Sequence, residues 1–147
     1  MVAIVLRDEC HFKAGDVLGL LMSNRPEYVA IWLGAAKLGC VTALINTNVR
    51  LESLTHSLNA ANCRALVFDN DHILAVREIR DRLADVGVSN CMHWDTSGKG
   101  VDSIPDFPEC RSFKNEVERV KQNDALAVRS FQYYEGDPKG ILYLTRI

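Results

Sequence analysis

The chain has 147 residues, 48% of them hydrophobic and 24% charged, with a formal net charge of −2. A chain of this length buries about 70% of the surface that it exposes when unfolded, which is enough for one domain with a hydrophobic core. The balanced charge excludes the basic surface of a nucleic-acid-binding protein, so no nucleic-acid partner is expected.

The first half of the chain alternates between short apolar runs and a helical pattern. Residues 16–22 predict a buried strand between two polar segments. A helix then begins after Asn24, which is expected to cap it, has Pro26 in its first turn, and ends before Gly39 in a left-handed turn. Residues 41–45 predict a second strand.

Residues 28–45 are the most apolar stretch, with Lys37 as their only charged residue. A membrane-spanning helix needs about 20 uninterrupted apolar residues. Gly39 interrupts the stretch where a helix would end, and β-branched residues follow it. We therefore predict a buried helix followed by a buried strand, and the apolar run at residues 1–6 is too short for a signal-peptide core.

The second half continues the alternation. A helix is predicted at residues 52–61, a strand at 65–68, an amphipathic helix at 73–86 and a strand at 91–94. Ile79 and Leu83 should face the core from the amphipathic helix, while Glu78 and Arg82 should pair on its solvated side. The remaining elements are a surface loop at 95–112, a charged helix at 113–121 and a last strand at 125–128.

Short apolar strands that alternate with helices predict an α/β fold with a doubly wound, mainly parallel sheet and helices on both faces. Trp32 and Trp94 are expected in or at the edge of the core. Five cysteines without a CxxC pair predict reduced, buried thiols.

Ligands of such sheets bind beyond the carboxyl ends of the strands. The loops of interest are therefore residues 23–24, 46–48 and 69–71, and the segment after Val128. Asp69 and Asp71 can hold a cation, but we favour the interpretation that they cap the next helix. No metal site is predicted, because the histidines share no ligand spacing with one another or with a cysteine; they are His11, His56, His72 and His93.

Residues 135–140 read Glu-Gly-Asp-Pro-Lys-Gly. A glycine-flanked turn with a lysine can offer backbone N–H groups and an ammonium group to a phosphate. The same residues also make an ordinary β-turn, and on these residues alone the turn is favoured.

Three runs are more specific: FKAGDV at residues 12–17, NRPEYVAIWLGAAKLG at 24–39 and VTALINTN at 41–48. They resemble the fatty acid transport protein group of very-long-chain acyl-CoA synthetases, in the AMP-binding, or adenylate-forming, superfamily. The resemblance covers most of the chain up to residue 95. It implies that residues 1–147 are an incomplete N-terminal part of an AMP-binding domain.

The group activates long-chain and very-long-chain fatty acids to acyl-CoA, with ATP and coenzyme A as co-substrates and Mg²⁺ accompanying the ATP. The resemblance therefore implies a long-chain fatty acid–CoA ligase, coupled to fatty acid uptake, with a fatty acid as its substrate. It also implies that the parent protein associates with a membrane, at the cytosolic face of the endoplasmic reticulum or plasma membrane.

The group's phosphate loop has a tyrosine, then TSGTTG, then x-Pro-Lys, at a set distance after an aspartate. Asp124, Gly136, Pro138 and Lys139 fall in place, so the resemblance assigns Gly136 and Lys139 to the ATP phosphates. Residues 131–135, Phe-Gln-Tyr-Tyr-Glu, replace the small residues. Tyrosines fill the space for a pyrophosphate and the glutamate repels it, so residues 129–140 are a degenerate phosphate loop.

Two alternatives remain open on the sequence. The altered loop favours a non-catalytic fragment or pseudoenzyme that contributes to lipid transport. An adenylation domain for a different carboxylic acid is the other alternative. In each case this chain by itself is expected to be inactive.

Overall fold

A computed structural model describes residues 1–97, 103–104, 107–120 and 122. The elements in chain order are α1 (Val2–Asp8), β1 (Val17–Leu21), α2 (Pro26–Lys37), β2 (Val41–Leu44), α3 (Leu51–Ala60), β3 (Ala65–Asp69), α4 (Ile73–Arg77), β4 (Asn90–Trp94), β5 (Ser103–Ile104), β6 (Phe107–Ser112) and α5 (113–120). Short 3₁₀ turns at Asn70–His72 and Arg80–Arg82 flank α4.

The strands form one six-stranded sheet in the order β2-β1-β3-β4-β6-β5. All neighbouring pairs are parallel except β5 and β6, which are antiparallel. The predicted mainly parallel α/β sheet is confirmed. β1 to β4 all lie where the sequence predicted strands.

Helices cover both faces of the sheet, because alternate strand residues enter two separate cores. On one face Leu18, Leu20 and Val67 pack with apolar residues of α1, α2 and α5. On the other face Leu66 and Phe68 pack with residues of α3, α4 and the turn that follows it. All five residues of β3 are buried, as expected of a central strand covered on both sides.

Two predictions about the apolar stretch at residues 28–45 differ from the structure. Only Ile31 and Ala35 of α2 are buried, and β2 is an edge strand with Val41 and Leu44 exposed. Trp32 is 43% exposed, whereas Trp94 is partly buried against the core as predicted. The stretch is apolar on every side, so its pattern could not indicate which side faces the sheet. Among the described helices, none is long and apolar enough to cross a membrane.

The predictions for the helices are wrong in three details. The N-cap of α2 is Arg25 instead of Asn24, and no side chain caps this helix. The predicted helix at 73–86 is interrupted after Arg77, although Ile79 and Leu83 are buried as expected. The predicted ion pair between Glu78 and Arg82 does not form. Instead, Glu78 pairs with Arg50 and Arg82 with Glu52, at and near the start of α3.

The predicted surface loop at residues 95–112 is wrong in its second half. β6 lies there and pairs in parallel with β4, and the antiparallel β5 follows at the edge of the sheet. Phe107 and Cys110 of β6 are buried against the α3–α4 side. Because polar and proline residues interrupt its apolar pattern, this strand could not be predicted from the sequence. Its position depends on pairing with β4. The charged helix predicted after it is confirmed at residues 113–120.

The first helix, α1, was not predicted. Its Val5 and Leu6 are fully buried and belong to the same core as α2. α1 crosses α2 at Gly34, where a Cβ atom would lie 2.5 Å from both Cβ and Cγ1 of Val2. The missing side chain of Gly34 is therefore what allows the two helices to approach each other.

We expect Gly34→Ala to lower the free energy of unfolding by about 1–2 kcal/mol, because overpacking here outweighs the gain of about 1 kcal/mol in helix propensity. Urea denaturation measures the change. In a Val2→Gly background, which removes both contacting atoms, the same substitution should stabilise the chain. Stabilisation by Gly34→Ala in the wild-type background would contradict the close α1–α2 contact.

Candidate functional site

The carboxyl ends of β1 and β3 form the point where the chain direction across the sheet reverses. α2 leaves β1 toward one face, and α4 leaves β3 toward the opposite face. The register pairs Leu21, the last residue of β1, with Phe68, so β3 extends one residue further, to Asp69. This crevice is where open α/β sheets bind ligands.

Asp69 occupies the centre of this crevice and its side chain is fully buried. The backbone N–H of Ser23 donates to its Oδ2 at 2.9 Å. Nδ1 of His72 lies 2.5 Å from its Oδ1, and Nε of Arg25 lies 3.8 Å from Oδ2. The buried carboxylate is therefore compensated from both loops, as a buried charge requires.

Asp71 adds a second, more exposed contact between the turn after β3 and the loop after β1. Its Oδ2 accepts a hydrogen bond from Oγ of Ser23 at 3.0 Å and from Nη2 of Arg25 at 3.3 Å. The prediction that Asp69 and Asp71 cap the next helix is therefore wrong. Neither the 3₁₀ turn nor α4 has a side-chain cap, because these carboxylates bind the loop after β1.

A second polar group joins the loops after β3 and β4. Oδ1 of Asn70 accepts a hydrogen bond from the backbone N–H of Thr96 at 3.0 Å and lies 2.8 Å from Nε2 of His93. Nδ2 of Asn70 donates to Oδ1 of Asp95 at 3.3 Å. The same oxygen accepts from the backbone N–H and hydroxyl of Ser97, at 2.8 and 2.6 Å.

The polar groups around Asp69 and Asn70 fill the crevice with side chains of the protein itself. No three His, Cys, Asp or Glu side chains in the described part of the chain come together as metal ligands, so we assign no ligand for Mg²⁺ there. Four of the five cysteines are buried, and burial raises the pKa of the Cys63 thiol to about 11, which disfavours its reactive thiolate form. The described residues thus form a scaffold around the crevice.

The loops predicted from the sequence fall into two sets. Those at 23–24 and 69–71 are brought together, while the loop at 46–48 lies beyond the edge strand, where Asn46 Oδ1 accepts from the backbone N–H of Asn48 at 2.9 Å. Gly136 and Lys139 lie outside the described residues, as do Asp124 and the predicted strand at 125–128. Their assignment remains a prediction.

Sequence reasoning placed Asn70 in the loop at 69–71, but it missed His93 and Asp95 as members of this polar edge. A signal was present, because Asp69 ends β3 and Asp95 directly follows β4. Acidic residues in that position lie at the carboxyl edge of a parallel sheet. His93 gave no such signal, since a histidine within a predicted strand reads as an ordinary partly buried residue.

Residues 1–131 match the family described as AMP-binding enzyme. The chain belongs to this family. Its relatives include "Long-chain fatty acid transport protein 6" of Homo sapiens, which is 40% identical over 121 residues, covering 76% of this chain and 19% of the relative. "Long-chain fatty acid transport protein 2" of Rattus norvegicus is 38% identical over 124 residues, covering 79% of this chain and 20% of the relative. The chain thus spans about a fifth of the length of these AMP-binding relatives.

Solved structures of other proteins share the fold. The anthranilate CoA ligase AuaEII, in complex with anthranoyl-AMP, has a TM-score of 0.67 at 21% identity, covering 80% of this chain and 21% of that one. The N-terminal domain of FACL13 from Mycobacterium tuberculosis has a TM-score of 0.56 at 28% identity, covering 65% and 24%. The first of these likenesses supports the fold alone.

The scaffold role of the crevice predicts unequal effects of its two aspartates. We expect Asp69→Ala to lower the free energy of unfolding by about 1–3 kcal/mol, because it leaves buried donors without a partner. Asp71→Ala, which removes a side chain that is 56% exposed, should cost about 1 kcal/mol or less. Thermal and urea denaturation of both variants measures the difference, and equal losses would contradict it.

Proposed function

We propose that this chain is the N-terminal part of a long-chain or very-long-chain fatty acid–CoA ligase whose activity is coupled to fatty acid uptake. The observation that carries the proposal is the 40% identity over 121 residues to a human protein named as a long-chain fatty acid transport protein. A Mycobacterium tuberculosis protein named as a fatty acyl CoA synthetase, with a TM-score of 0.56 at 26% identity, supports the ligase activity.

The proposed reaction of the parent protein has two steps. The fatty acid carboxylate attacks the α-phosphate of ATP, accompanied by Mg²⁺, and forms acyl-AMP while pyrophosphate leaves. The thiol of coenzyme A then attacks the acyl carbon, and acyl-CoA forms as AMP leaves. Because the relatives are named as long-chain fatty acid transport proteins, we place the parent at a membrane, on the cytosolic face of the endoplasmic reticulum or plasma membrane.

In this proposal the described residues are the framework of the first step, and residues 129–140 are its phosphate-binding segment. Gly136 would lie against the phosphates and the ammonium group of Lys139 would neutralise them. Tyr133, Tyr134 and Glu135 act against binding through their size and charge. The segment is therefore a weakened version of the phosphate loop.

We also propose that residues 1–147 are one part of a larger AMP-binding domain. The outer face of α2 supports this, because four apolar residues recur there at the i, i+3, i+4 and i+7 positions of a helix and all are exposed: Val29, Trp32, Leu33 and Ala36. Val41 and Leu44 of the edge strand are exposed as well. A helix that is apolar on all sides is typical of the interior of a larger protein.

The altered segment at residues 131–135 favours a second candidate, a non-catalytic fragment or pseudoenzyme that contributes to lipid transport by association. The two candidates differ in whether ATP is bound. Binding of ATP to this chain, with its triphosphate protected from hydrolysis, would exclude the non-catalytic candidate.

The ligase proposal predicts fatty-acid-dependent exchange of radiolabelled pyrophosphate into ATP by the full-length parent protein. Long and very long acyl chains should support exchange, whereas anthranilate and short-chain acids should not. Lys139→Ala should lower the exchange rate by about tenfold or more, since it removes a cation from the charged transition state, and Lys121→Ala serves as the control lysine. Absence of exchange with every acid would favour the non-catalytic candidate, and exchange with an aromatic acid alone would indicate a different substrate class.

The domain proposal predicts that Trp32→Gln with Leu33→Gln reduces the binding of a hydrophobic dye to the isolated chain without lowering its stability. In the full-length protein the same pair should lower the melting temperature, because these side chains would be covered there. Leu74→Gln on α4, whose side chain is 65% exposed away from this face, is the matched control. Unchanged stability of the full-length protein would contradict burial of α2.

A further inference from the structure

The polar group around Asn70 has one member that can change its charge near neutral pH. His93 lies on β4 and is 3% exposed, with its ring 5.5 Å from the ring of Phe68, centroid to centroid. Its Nε2 lies 2.8 Å from Oδ1 of Asn70, so its side chain joins strand β4 to the loop after β3. The state of this histidine therefore bears on the contact between two loops.

The hydrogen bonds fix the tautomer of His93. Oδ1 of Asn70 must be an acceptor, because the backbone N–H of Thr96 donates to it at 3.0 Å. Nε2 of His93, 2.8 Å from the same oxygen, is therefore the protonated nitrogen. Nδ1 is buried and has no hydrogen-bond partner among the described residues.

A second proton on His93 would be placed on Nδ1, in a buried position without an acceptor. Burial lowers the pKa of His93, and the carboxylates of Asp95 and Asp69, which act in the opposite direction, do not offset it. The protonated ring therefore favours a conformation in which it reaches water.

Among the described residues, the charged groups near the ring do not reverse this preference. Asp69 is already bound to His72 and lies beside Arg25. On β6 the register partner of His93 is the uncharged Ser112. The residue before it, Arg111, is directed to the opposite face, where it contacts Cys10.

We propose that His93 is a proton-sensitive latch, which in its neutral form holds residues 95–97 against Asn70 and on protonation releases them. The released loop borders the carboxyl edge of the sheet. Acidification would thus loosen the contact between the loops after β3 and β4 while the two cores remain packed. This is a conformational device of the fold and does not depend on the proposed ligase activity.

The sign of the pH dependence follows from the lowered pKa. The open state takes up a proton with a pKa near the ordinary 6.5, and the closed state only at lower pH. The latch is therefore fully stable above about pH 6.5 and weakens as the pH falls toward the lowered value. One proton is taken up on opening, so the opening equilibrium rises by up to about tenfold per pH unit within that window.

Amide hydrogen exchange of the 147-residue chain, followed by NMR from pH 7.5 to about 5, tests the proposal. After correction for the intrinsic exchange rate, the protection factors of the Thr96 and Ser97 amides should fall by up to about tenfold per unit below pH 6.5. The amide of Ile45, which donates to the carbonyl oxygen of Leu20 at 3.0 Å, should keep its protection. Protection of Thr96 and Ser97 that is constant with pH would overturn the latch.

His93→Gln retains a donor for Asn70 but cannot titrate, so it should abolish the pH dependence at Thr96 and Ser97. His56→Gln, at an exposed histidine on α3, should leave it unchanged. Should His93→Gln fail to fold, ring ¹⁵N shifts of the wild-type chain decide the question. His93 should be protonated on Nε2 at pH 7.5 and titrate below the ordinary histidine pKa of about 6.5; the opposite tautomer or a higher midpoint would overturn the proposal.

Discussion

The buried carboxylate of Asp69 is the interaction on which the organisation of the sheet edge depends. It ends β3, the central strand whose residues are all buried. A charge in that position must be compensated by donors, because its removal from water is otherwise too costly. The backbone N–H of Ser23 and the ring of His72 provide this compensation, and they fix the loop after β1 and the turn after β3 relative to each other.

The parallel register of the strands extends these side-chain contacts along the carboxyl edge of the sheet. Because Asp69 pairs with Trp94, Asp95, which follows Trp94, lies at the same edge, one strand further on. Asn70 bridges to it and to His93, so three successive loops are joined by side chains that belong to the strand ends. The described part of the chain is therefore held together by side-chain hydrogen bonds at the edge where open α/β sheets bind their ligands.

The two faces of the sheet have different surroundings. On the face of α3 and α4, ion pairs join residues next to the ends of these helices, such as Arg50 with Glu78, and both partners are partly exposed. On the other face α2 uses only Ile31 and Ala35 for the core and presents Trp32 and Leu33 outward. An apolar outer face of this kind has a hydrophobic driving force for further packing, consistent with the small share of the relatives' length that this chain spans.

The sequence by itself determined the alternation of strands and helices, the sheet class and the family, because short apolar runs and the 24–48 segment are local properties of the chain. It also indicated Asp69 and Asp71, though with the wrong partners. Tertiary structure decided that Asp69 binds Ser23 and His72, that β6 pairs with β4, and that Glu78 and Arg82 pair with α3. Each of these contacts joins residues whose distance depends on how the elements are placed side by side. Strand order and register fix that placement, and neither periodicity nor local propensity encodes them.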